Sequence, residues 1–208
     1  STTIIATSGS ASASASVTIS QDAGTIELSP SSLAFVSIAD TATMTATVKD
    51  AGGTVIPDAT VTWASTTPTV ATVSSAGLVT SVADGTTTII ALSESANTTA
   101  TVTVAQVAST VEVSPSTSTL SSVAETVTLT ATVNDAGGTA ISGATVEWTT
   151  SDDSVATVSS DGVVTAVADG TATITATSGS LTATSAITVT QVASTIEVSP
   201  STSTLTSL

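Results

Sequence analysis

Apolar and polar residues alternate one by one along much of this chain. Val127, Leu129, Ala131 and Val133 are interleaved with Thr126, Thr128, Thr130 and Thr132. A period of two puts the first set on a buried face and the hydroxyls on the other, so the run predicts a half-buried strand. Thr110 to Ser114 is a shorter run of the same kind, and Pro115 behind it suits an edge strand that then stops. Asp135-Ala136-Gly137-Gly138 has turn chemistry, and Val146 and Trp148 point inward from a third strand. Val155–Val158 and Val163–Val167 flank a turn at Ser160-Asp161-Gly162. After Asp169-Gly170, the run Thr171–Thr177 sets Ala172, Ile174 and Ala176 on one side; Ser178-Gly179-Ser180 then turns the chain into a strand from Ala183 to Gln191. About seven short strands at this spacing predict a two-sheet sandwich. No stretch carries a helical period.

The pattern recurs every 85 residues without insertion or deletion, as from Ile26 to Val111 to Ile196. Trp63 maps to Trp148, Gly52-Gly53 to Gly137-Gly138, and Asp84-Gly85 to Asp169-Gly170, while Gln21, Gln106 and Gln191 share one position. This register predicts four segments. Residues 1–21 are the C-terminal strands of a preceding repeat, 22–106 and 107–191 are complete repeats, and 192–208 is the first strand of a following one. The stretch SGSASASAS (8–16) looks low in complexity, yet the register places it on a hairpin loop and the strand after it. The linkers Gln106-Val107-Ala108-Ser109-Thr110 and Gln191-Val192-Ala193-Ser194-Thr195 hold neither Gly nor Pro, which favours a semi-rigid rod over a flexible string.

Composition narrows the chemistry. Apolar residues make up 40% of the chain but aromatic ones only 1%, so each core is built from aliphatic side chains around one Trp per repeat. Sixteen acids face a single cation, Lys49, for a formal net charge of −15, and there is no His and no Cys. A surface this poor in cations cannot neutralise phosphates, which excludes nucleic-acid partners and disfavours anionic membranes. No stretch reaches the length of a membrane span.

The segments LTATVNDAGGTAISGATVEWTTSDDSVATVSSDGVVTAVADGTATITATSG (129–179) and MTATVKDAGGTVIPDATVTWASTTPTVATVSSAGLVTSVADGTTTIIAL (44–92) share the Trp, the VATV strand, a G-[LV]-V-T strand and an A-D-G-T turn. In this combination the chain resembles the bacterial immunoglobulin-like domain, group 2. The resemblance implies tandem immunoglobulin-like β-sandwiches, an all-β fold arranged as a rod, in a bacterial surface or secreted protein of the adhesin type. It implies no shared catalytic residues.

The residues themselves offer little to an enzyme. Asp152 and Asp153 are the only adjacent carboxylates, and they correspond to Thr67-Pro68 in the other repeat. Lys49, replaced by Asn134 one repeat on, ends a strand where a solvent-facing residue is expected rather than a buried isopeptide donor. The alternation of Trp63 with Val61 and of Trp148 with Val146 assigns both indoles to core packing rather than sugar stacking. The acids carry one metal expectation: Asp40 and Asp84 of one repeat and Asp135 and Asp161 of the next approach across the junction and hold calcium, which takes six to eight oxygens. The function expected is a structural repeat segment of a long bacterial extracellular stalk or fibre, whose partners are neighbouring repeats. The alternatives are a subunit of a non-covalent filament joined by strand complementation, and a host-protein or glycan-binding module.

Overall fold

A computed structural model describes residues 2–18, 20–199 and 201–204. Every regular element among them is a β-strand, and the chain divides into two compact units, one ending at Val107 and the other beginning at Ala108. The first unit opens with the hairpin β1 (Thr2–Ser8) and β2 (Ala11–Val17). Its sandwich consists of β3 (Thr25–Ser29), β4 (Ser32–Phe35), β5 (Thr41–Thr43), β6 (Thr45–Lys49), β7 (Thr62–Ser65), β8 (Ala71–Val73), β9 (Leu78–Ser81), β10 (Gly85–Ser93) and β11 (Ala96–Val104). The second sandwich repeats every one of these bounds 85 residues later: β12 (Thr110–Ser114), β13 (Thr117–Leu120), β14 (Thr126–Thr128), β15 (Thr130–Asn134), β16 (Glu147–Thr150), β17 (Ala156–Val158), β18 (Val163–Ala166), β19 (Gly170–Ser178) and β20 (Leu181–Val189).

Each sandwich therefore has nine strand segments where seven strands are expected. The difference comes from two strands that are each broken once. The first breaks at the Ser29–Pro30 and Ser114–Pro115 peptides, both cis. Proline has no N–H to give a ladder, and here it marks a change of sheet. Ahead of it β12 pairs antiparallel with β15; behind it β13 pairs parallel with β20. The strand is thus redirected by its proline rather than stopped. The second break falls at Met44 and Leu129, between β5 and β6 and between β14 and β15. Here the strand changes its ladder partner: β14 pairs with β18 and β15 with β12.

One layer of each sandwich is a four-stranded sheet, in the order β4-β11-β10-β7 and β13-β20-β19-β16. The facing layer is β5-β9-β8 with β3-β6, and β14-β18-β17 with β12-β15. Period-two alternation delivers the core between them. In the second unit Leu129, Val164, Ile174 and Ile187 are at most 1% exposed, with Trp148 packed against their cluster. In the first unit Met44, Val79, Ile89 and Val102 fill the same positions beside Trp63. Burying such a side chain contributes about 1.5–3 kcal/mol. Both indoles are half-buried, less enclosed than the sequence suggests, because each lies at the margin of its core.

The described residues of 192–208, the segment expected to be the first strand of a following repeat, form no ladder, and Val192, Ile196 and Val198 are exposed. The equivalent strand in each unit pairs with a strand that follows it about twenty residues later in the same repeat, as β12 does with β15. Ser1, Ile19, Pro200 and 205–208, which fall in the two flanking segments, lie outside the described residues.

Candidate functional site at the strand ends and linkers

The Ala-Asp-Gly turns hold the point where each sandwich releases the chain. Gly85 and Gly170 adopt φ of +143° and +147°, and a Cβ on either would come within 2.9 Å of a Val70 or Val155 methyl. Only glycine lets the turn sit this close. The preceding carboxylate then points at the end of the last strand: Asp84 Oδ1 accepts the Gln106 N–H and Asp169 Oδ1 accepts the Gln191 N–H, each at 2.8 Å.

The backbone beyond the last strand is fixed as well. Ala105 N–H donates to the Phe35 carbonyl and Val107 N–H to the Val36 carbonyl, at 3.0 and 2.9 Å. Thr190 and Val192 repeat this with Leu120 and Ser121. Ser109 N–H donates to the Asn134 carbonyl at 2.8 Å, which begins the pairing of the second unit. One residue, Ala108, separates the last of these bonds in the first unit from the first in the second. At the start of the first sandwich, Gln21 Nε2 donates to Asp50 Oδ2, Ala23 N–H to Glu94 Oε2 and Gly24 N–H to the Lys49 carbonyl.

The carboxylates are mostly committed to nearby donors. Asp135, buried to 2% exposure, accepts the Gly137 and Thr139 N–H groups and so organises the Asp-Ala-Gly-Gly loop. Asp50 does the same for Gly52 and Thr54; the Thr54 N–H first, then the Gln21 amide, hold its pKa below the ordinary carboxylate value. The sequence reading passed over Asp50, although the shared Asp-Ala-Gly-Gly motif is a sufficient signal. Glu125 accepts from the backbone and hydroxyl groups of Ser121 and Ser122, chiefly the Ser121 N–H, and its pKa is lowered too. The Ser154 hydroxyl lowers that of Asp152.

Of the four acids assigned to calcium, Asp84 and Asp135 thus accept backbone amides within their own units. Asp40 is exposed, and its carbonyl accepts the Ser81 N–H and hydroxyl. Asp161 lies exposed in the turn between β17 and β18, its N–H directed to Ser159 Oγ. Within either unit, no three acidic side chains among the described residues gather as a metal-binding group.

Lys49 stands opposite Thr25 on the β3–β6 ladder and reaches diagonally to Glu27, with Nζ 2.7 Å from Oε1. Asp152 and Asp153 are both exposed in their loop. A cleft of 440 Å³ in the first unit is lined by Ala23, Ile56, Ala59 and Leu92, with Glu94 at its rim already bonded to Ala23. The polar groups here hold turns and chain ends in place.

Comparison with solved structures places the chain beside domains 1–6 of the surface layer protein SbsC, at 27% identity over 73% of this chain and 23% of that one, with a TM-score of 0.41. The chain therefore spans about a quarter of that structure. It is also similar to the Escherichia coli adhesin FdeC, at 21% identity over 79% of this chain and 63% of that one, with a TM-score of 0.40. Invasin, a bacterial integrin-binding protein, aligns at 20% identity over 91% of this chain and 45% of its own, with a TM-score of 0.43. Comparison with curated proteins finds no match. The family profile of the bacterial Ig-like domain (group 2) matches residues 22–104 and again residues 107–191, the two sandwiches described above. The chain belongs to the bacterial Ig-like domain (group 2) family.

Proposed function

We propose that this chain is a structural segment of a long bacterial extracellular stalk or fibre, displayed on the cell surface or secreted, with neighbouring Ig-like repeats as its partners. The observation that carries the reading is the linker. Val107 is hydrogen-bonded into one sandwich and Ser109 into the next, and the Asp84 carboxylate holds the Gln106 amide just before them. A connection this short, with neither Gly nor Pro, is what a semi-rigid array needs and a flexible string does not. Each repeat then adds length, roughly 35–45 Å where strands of about ten residues run near the long axis. The role is mechanical: spacing and display rather than catalysis. Single-signed charge keeps such repeats soluble and apart.

Solution scattering on arrays of two, four and six copies of residues 22–191 tests this. A maximum dimension rising in proportion to copy number supports the stalk. Growth near the square root of copy number, the behaviour of a flexible chain, overturns it.

A further inference from the structure

Glu94 stands at a turn position that glycine holds elsewhere in the chain. One repeat length away on either side, its counterparts are Gly9 and Gly179. All three adopt positive φ: +62° at Gly9, +52° at Glu94 and +60° at Gly179. Glycine takes this left-handed conformation freely, whereas a side chain opposes it. The flanking strands close on equivalent pairs in each case, Ser8↔Ala11, Ser93↔Ala96 and Ser178↔Leu181, so the turn itself does not require glutamate. What the glutamate adds is reach. Its Oε2 accepts the Ala23 N–H at 2.9 Å, which ties the closing hairpin of the first sandwich to the chain 71 residues earlier.

The segment tied down is packed as well as bonded. Ala23 is 8% exposed and shares a cluster with Ile26, Val48, Ala91 and Ala96. Beside it, Gly24 lies so close to the Asp50–Ala51 backbone that a Cβ would stand 2.7 Å from the Ala51 nitrogen. In the second sandwich the corresponding residues are Gly179 and Ser109, and there Ala108 is exposed and Val111 only half-buried. Glu94 and Gly24 thus occur together where the entering alanine is buried, and Gly179 and Ser109 where it is exposed.

We propose that Glu94 is a strap that fastens the entering chain, residues 21–24, onto the first sandwich, and that Gly24 supplies the clearance the closed strap requires. Closed, the strap keeps Ala23 in the wall of the 440 Å³ cleft, beside Ile56, Ala59 and Leu92. Released, Ala23 leaves that wall and the cleft opens along one side. The unfavourable backbone at residue 94 persists because the bond to Ala23 and the packing beneath it hold it there. The strap belongs to the first sandwich alone and is independent of the stalk reading.

Amide hydrogen exchange and backbone relaxation on the full chain test it. Glu94→Gly is expected to speed exchange at Ala23 by at least about 10-fold and to quicken motion at 21–23. In that variant β10 and β11 stay as protected as before, because glycine suits the turn. Gly24→Ser is expected to loosen Ala23 in the same way with the glutamate still present. Glu94→Gln keeps a carbonyl oxygen at the same reach and is expected to preserve the protection. Unchanged exchange at Ala23 in Glu94→Gly overturns the strap. So does an equal loss of protection along β10 and β11, which would make Glu94 a support of its own hairpin only. Full protection of Ala23 in Gly24→Ser overturns the role given to Gly24.

Discussion

The indole of Trp148 rests on the α-carbon of Gly162: a Cβ at Gly162 would lie 3.1 Å from both Cε2 and Cζ2 of the ring and 2.5 Å from the Leu129 carbonyl oxygen. Trp63 and Gly77 repeat the relationship in the first unit, with 3.2 Å to Cζ2 and 2.3 Å to the Met44 carbonyl. Gly162 also bonds that strand break directly, its carbonyl accepting the Leu129 N–H at 2.8 Å. The tryptophan and the turn glycine of the family pattern thus form one packed unit with the break in the second strand.

Gly162→Ala is expected to destabilise the second sandwich by about 1–3 kcal/mol from its φ of +78° alone, and further from displacement of the carbonyl and the indole. Trp148→Ala should cost about 3 kcal/mol, the low end for a large aromatic because the ring is half-exposed. Thermal unfolding of the isolated 108–191 unit reads both. An unchanged midpoint for Gly162→Ala would contradict the packing described.

Asp84→Ala removes one backbone acceptor at an exposed site. The expected loss of stability is about 1 kcal/mol, small beside its effect on the linker. Backbone relaxation at Gln106 and Val107 should report faster motion in the variant, while β10 and β11 stay as rigid as before. Equal relaxation in both chains would show that the turn carboxylate does not hold the linker.

The Glu125 pKa is lowered in the folded state, so the stability it contributes is present above its unfolded value and lost as pH falls through its folded value. Acid unfolding of the second unit should therefore deepen below about pH 4, in the ordinary carboxylate range. Glu125→Gln should weaken that limb and leave the neutral baseline shape unchanged. An identical pH profile for the two proteins would remove Glu125 from the account.

Lys49 is the only site in the chain for a protease that cuts after Lys or Arg, and it lies in the β3–β6 ladder paired with Glu27. Cleavage in the native state requires local opening of that ladder. The folded chain should survive trypsin for hours, while the denatured chain gives two fragments, and rapid native cleavage would show the ladder to be open.

Strand positions were legible because period-two alternation and the 85-residue register act locally, as in Val127 to Val133 or in the alternating 11–16 segment. What Pro115 does was not, since a proline that ends one ladder and opens another is distinguished only by the distant β20 that receives it. The break at Leu129 was hidden for the same reason: its sequence alternates without interruption, and only the partner changes. The acids show the limit most plainly. Charge and loop position put Asp135 and Asp84 at the sandwich ends, but not the backbone amides that each accepts there.

The central proposal is a stalk whose repeats do not flex freely at their linkers. Residual dipolar couplings from both sandwiches of the full chain, measured in one weakly aligning medium, test it most directly. The account predicts alignment tensors of the same magnitude and orientation for residues 22–106 and 109–190, as for one body. Tensors that differ clearly in magnitude, the mark of two units reorienting independently, would contradict it.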